Sequence, residues 1–112
     1  MSEFFDSDVV QDSLEEIQEL QNSIQDAMMK YNFLNFWQQK EKLEELEELL
    51  EKQQLMYVRM KLSDDPNAKD IVKKMQMSLK DMGMPKSMTV EQMFEQMKLT
   101  ISNLRRALDS RR

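Results

Sequence analysis

The sequence predicts an all-α protein: a long antiparallel helical hairpin with two shorter helices packed on it, four helices in coiled-coil-like packing and able to dimerise. Three observations predict it. The 112 residues include one Gly and two Pro, with 40% hydrophobic and 33% charged side chains; helix formers abound and turn residues are scarce. Apolar residues recur at three- and four-residue steps in four separate stretches. The breaks between stretches carry helix start and stop signals. The length fits a single domain, residues 1–112, with a modest core.

The first helix is expected over residues 7–31. Asp6 as N-cap places Phe5 and Val10 at the two ends of a hydrophobic staple. Val10, Leu14, Ile17, Ile24, Met28 and Tyr31 then form a heptad-like stripe that Gln21 interrupts. The second helix is expected over residues 35–62, with Phe36, Leu43, Leu46, Leu50, Tyr57 and Met60 on one stripe. Leu49, Met56 and Trp37 widen that face, which suits a bundle better than a two-stranded coil. Between them lies KYNFLNFWQQK, without Gly or Pro; only Asn32 and Asn35 tolerate a turn there. A hairpin corner near Asn32 is expected. The alternative is one continuous helix of about 55 residues, roughly 80 Å long.

LSDDPNAKD is the clearest break. Ser63 to Asp65 offer N-caps and Pro66 fits the first helical position, so a third helix is expected over residues 66–82. Its stripe is Ile71, Met75, Leu79 and Met82, with Gly83 just past its end and Pro85 beyond. The fourth, over residues 90–109, opens with Thr89 and Gln92 as a capping box. Val90, Phe94, Met97, Ile101, Leu104 and Leu108 form its stripe.

Seven of the 23 residues from Met75 to Met97 are methionine. Gly83 as a left-handed cap sets Met84 against Leu79, and Thr89 as N-cap sets Met88 against Met93. Met75, Met82 and Met97 fall on core stripes. Six of the seven are thereby expected to pack or cap, and Met77 to face outward. Methionine also serves surfaces that adapt to partners, which makes Met77, with Met29, a candidate for exposure.

Much chemistry is excluded by residue type. The chain has no histidine and no cysteine, which removes the usual general base, the Ser-His and Cys-His nucleophiles, and disulfides. A di-iron bundle needs Glu-x-x-His motifs, and none exists. One Gly cannot build a phosphate-cradling loop. The paired carboxylates of EKLEELEELLEK sit at helical surface spacing. No catalytic residue, cofactor or metal is therefore expected, and the protein is read as a non-enzyme. No apolar run reaches the roughly 18 residues a membrane span needs, and MSEFFDSD lacks the basic start of a signal peptide. A cytoplasmic location is expected.

The net charge of −5 is unevenly spread: residues 1–65 carry a net −10 and residues 66–112 a net +5. The acidic run Glu41–Glu51 is read as a solvated face, or as the counterpart of a basic surface drawn from Lys73, Lys74, Lys80 and Lys98. Arg105, Arg106, Arg111 and Arg112 make a basic end that could touch phosphates; the simpler reading is that they complement the helix dipole. The densest apolar cluster is Tyr31, Phe33, Leu34, Phe36 and Trp37. Five apolar residues in seven exceed what one helix face hides, so core and interface both have a claim on them.

FFDS at Phe4–Ser7, VVQ at Val9–Gln11, YVRMKLSDD at Tyr57–Asp65 and MTVEQMFEQM at Met88–Met97 resemble a family of uncharacterised small helical proteins of cyanobacteria and cyanophages. Members carry glycines between the first two helices, where this chain has NFLNFWQQK. The family transfers no catalytic residues; the resemblance implies a cyanobacterial or phage-infected cytoplasm. The function expected from all this is that of an adaptor or regulator binding another protein, with Tyr31, Phe33, Phe36, Trp37 and Met77 as partner-binding residues. The alternatives are a nucleic-acid-associated regulator using Arg105, Arg106, Arg111 and Arg112, and a structural oligomer or virion component.

Overall fold

The computed structural model describes residues 3–85 and 87–110. They are all-α among themselves: α1 (Asp8–Met28), α2 (Phe36–Leu62), α3 (Pro66–Asp81) and α4 (Val90–Ser110), with a short 3₁₀ turn at Tyr31–Phe33. The molecule is elongated, 49 × 34 × 20 Å. The long continuous helix is not formed, because the chain leaves the α-helix after Met28. Asn35 then starts α2 with a capping box: its side chain accepts from the Gln38 N–H at 2.9 Å, and Gln38 Oε1 accepts from the Asn35 N–H at 3.0 Å.

α2 is the central helix, about 40 Å long at 1.5 Å per residue, and every other helix packs on it. α1 runs antiparallel along one side, since Ser23 bonds Glu45 and Glu16 pairs with Lys52. α4 runs antiparallel along the other. Lys61 pairs with Glu91 at 3.0 Å near one end, and Lys40 with Asp109 at 3.5 Å near the other. α3 follows α2 through the short link Ser63–Asp65 and turns back over its C-terminal half. The core joins all four helices, with Tyr57, Leu50, Val90 and Ala68 among its most deeply buried members. Burying each large apolar side chain there contributes on the order of 2 kcal/mol.

The helix ends explain the connections. Asp65 caps α3 by accepting from the Asn67 N–H at 2.8 Å, and Pro66 opens the helix. The second carboxylate oxygen of Asp65 accepts from the Phe4 N–H at 2.9 Å, pinning a segment 61 residues away. The first helix starts at Asp8 with Ser7 in the N-cap position, not Asp6 as the sequence suggested, and the Ser7 side chain makes no capping bond. The end of α3 is a Schellman motif: Met84 N–H donates to Leu79 O at 3.1 Å and Gly83 N–H to Lys80 O at 3.0 Å. Gly83 stands at φ +81°, a left-handed backbone that L side chains rarely adopt. Thr89 and Gln92 exchange the two bonds of a capping box at 3.0 and 3.1 Å.

Candidate functional site

Two apolar surfaces stand out. The first is the corner between α1 and α2. A short turn projects side chains outward there, between the end of α1 and the start of α2. Phe33 is 90% exposed, Met29 86% and Trp37 59%. Tyr31 and Phe36 are half-buried at its base. Phe36 and Trp37 meet edge to face with ring centres 5.0 Å apart, and Lys40 Nζ lies 5.9 Å from the Trp37 ring. Gln39 Nε2 donates to Tyr31 O at 3.0 Å and ties the turn to α2. The corner is thus a held shape with aromatic groups on its outside. The structure brings together Tyr31, Phe33, Phe36 and Trp37 of the expected set. It does not bring Met77, which is exposed on α3 along the other half of α2.

The second surface was not anticipated. On the stripe of α2, Tyr57 and Met60 are buried in the core that α3 helps to close, but α3 spans 16 residues against 21 in α4 and 27 in α2. Where α3 stops at Gly83, the seam between α2 and α4 continues without it. The result is an open apolar groove of about 630 Å³. Leu46, Leu50 and Ile101 form its floor, and Leu104 stands at its margin, half exposed. Met82, Met84, Met88, Met93 and Met97 surround it. Six of the seven methionines were expected to pack or cap. Met75 and Met93 do pack on the core. Met84 takes its capping position after Gly83 but stays partly exposed. Met82, however, is 67% exposed, and Met97 is exposed too. The stripes of these two point at a seam that no helix fills among the described residues. The readable signal was Gly83, which stops α3 short of α4's length.

The charges arrange themselves differently from the sequence expectation. The acidic run of α2 meets α4, not the lysines of α3. Arg105 donates to Glu47 at 2.7 Å and to Glu44 at 3.4 Å. Glu47, then desolvation in the opposite sense and Glu44, act on this guanidinium; the net effect raises its pKa further. Lys74 pairs with Asp70 and Lys98 with Glu95, each within its own helix. Of the candidate phosphate ligands, Arg105 is thereby engaged, Arg106 is exposed, and Arg111 and Arg112 lie outside the described residues. Glu91 is held below the ordinary carboxylate pKa, first by its hydrogen bond with Lys61. Burial pushes the Tyr57 hydroxyl up. Among the described residues, no group of three His, Cys, Asp or Glu side chains could hold a metal ion. No helix among the described residues is long and apolar enough to cross a membrane.

A family model described as Domain of unknown function (DUF1825) matches residues 2–108. The chain belongs to the DUF1825 family. The match spans nearly the whole chain, so both the aromatic corner and the methionine groove are parts of a DUF1825 domain. No match was found among curated proteins or solved structures.

Proposed function

We propose that this DUF1825 protein is a non-enzymatic adaptor that binds another protein through its aromatic corner, in the cytoplasm. The observation that carries the reading is the exposure of Phe33 and Trp37 on a turn held by the Asn35 capping box and the Gln39–Tyr31 bond. Large aromatic side chains on a pre-ordered backbone lose little entropy on binding, and such residues dominate the energetics of protein interfaces. The matching partner presents an apolar pocket for one or both rings. The acidic side chains of α2 near the corner would then tune partner choice and association rate more than affinity. The ion pairs of Arg105 with Glu44 and Glu47 weigh against a nucleic-acid role, since they occupy one of the four candidate cations.

A pull-down from cyanobacterial lysate, with and without nuclease and at low and moderately high salt, tests this. Wild type is expected to retain a protein partner through both treatments, and Trp37→Ala to lose it while staying folded. Unchanged retention by Trp37→Ala would remove the corner from the binding surface. A partner set lost to nuclease would move the function to nucleic acid and the C-terminal arginines. Large assemblies formed by the chain alone would favour a structural component.

A further inference from the structure

We propose that the methionine groove is a self-association surface, occupied by a second copy of this chain related to the first by a two-fold axis. A two-fold contact sets one patch against itself, which imposes two conditions. The first concerns charge. The chain carries a net −5, so most faces of two copies repel. None of the described residues lining the groove is charged. Its polar members are Gln96, whose side-chain amide both donates and accepts and so can pair with its own counterpart, and Thr100, whose hydroxyl donates to Gln96 O at 2.9 Å and is left able to accept. Two other exposed apolar regions fail this condition. The corner carries Lys30 and Lys40, and the exposed Leu55 and Val58 of α2 sit among Glu51 and Lys98.

The second condition is shape. A self-complementary patch must hold both a protrusion and a recess. Here the recess is the groove, and Met82 and Leu104 stand exposed at its margins. Met82 of each copy can enter the recess of the other. Methionine's three flexible torsions let the two concave faces adjust to each other. Met93, Met97, Thr100 and Leu104 follow one another at four-, three- and four-residue steps on α4. They form one row, so the two α4 helices can lie against each other. The pairing supplies the cover that α3 leaves off, and it leaves both aromatic corners outside the contact. The inference stands independently of the corner reading; together they describe a bivalent adaptor.

Sedimentation equilibrium of the full chain from micromolar to sub-millimolar concentration tests the proposal, with Met82→Lys, Leu104→Lys and Trp37→Ala beside wild type. Met82 is exposed at the C-terminal end of α3, where a cation suits the helix dipole, so Met82→Lys keeps the fold even if Leu104→Lys does not. Wild type and Trp37→Ala are expected to form a dimer of the same strength. Met82→Lys is expected to weaken it about tenfold or more, by placing an unpaired cation in an apolar recess. A wild type that is monomeric throughout overturns the proposal. So does self-association weakened by Trp37→Ala and not by Met82→Lys, or a mass that grows without limit, since a two-fold contact closes at two.

Discussion

The aromatic corner and the methionine groove are both apolar and both open, yet they arise in opposite ways. The corner comes from neighbours in sequence: Phe33, Phe36 and Trp37 fall within five positions, and a two-residue capping box fixes their turn. The groove comes from three separate elements, and it exists because one helix is shorter than those beside it. The difference shows where apolar surface is costly to the monomer. Corner side chains stand outside the core and can be cut back without disturbing it. The groove floor is the core itself, with Leu50 only 1% exposed beneath the methionines.

The sharpest way to break this contrast is to truncate one residue of each kind. Leu50→Ala is expected to lose about 2 to 5 kcal/mol of unfolding free energy. Phe33→Ala is expected to stay within about 0.5 kcal/mol of wild type. Urea titrations of both decide it; a Phe33→Ala loss as large as that of Leu50→Ala would make the corner part of the core. Next in size is Gly83→Ala. An added Cβ would meet nothing within 4 Å, so only the left-handed backbone resists it. The expected cost is about 1 to 2 kcal/mol. Because Gly83 ends α3, the same variant is expected to disturb the groove methionines and leave Trp37 fluorescence unchanged; altered Trp37 emission would mean that the two regions are coupled.

The smallest effect belongs to the Lys61–Glu91 pair, far from the corner and beside Met88 at one end of the groove. Glu91 has a lowered pKa in the folded chain, so its contribution is present above the ordinary carboxylate value of 4.5 and is lost as pH falls below it. Both partners are largely solvated, so the contribution is modest. Glu91→Gln is expected to lose less stability than wild type on acidification through that range, as read by thermal melts at several pH values. An identical acid dependence in the two proteins would show that the pair contributes nothing.

Local signals were readable in the sequence wherever the chemistry is local. The Thr89–Gln92 capping box, the Asp65 cap before Pro66 and the left-handed Gly83 each depend on residues within a few positions of one another. The first cap was misread because Asp6, Ser7 and Asp8 all qualify by type; the bond from Phe4 to Asp65, distant in sequence, accompanies the choice of Ser7. Arg105 looked available because its partners lie on another helix. Met82 and Met97 looked like core because helical spacing says which residues share a face, not whether anything covers it. Tyr31, Phe33, Phe36 and Trp37 were readable as a cluster, but only the turn shows that Phe33 and Trp37 face outward while Tyr31 and Phe36 sit lower.

The most direct test of two separate surfaces is a dilution series followed by the ¹³C-methyl NMR signals of the twelve methionines. Signals of Met82, Met84, Met88, Met93 and Met97 are expected to shift together as concentration rises, while those of Met28 and Met29 at the corner and Met77 on α3 stay fixed. Shifts centred on Met28 and Met29, or no shift at any methionine up to sub-millimolar concentration, would contradict that separation.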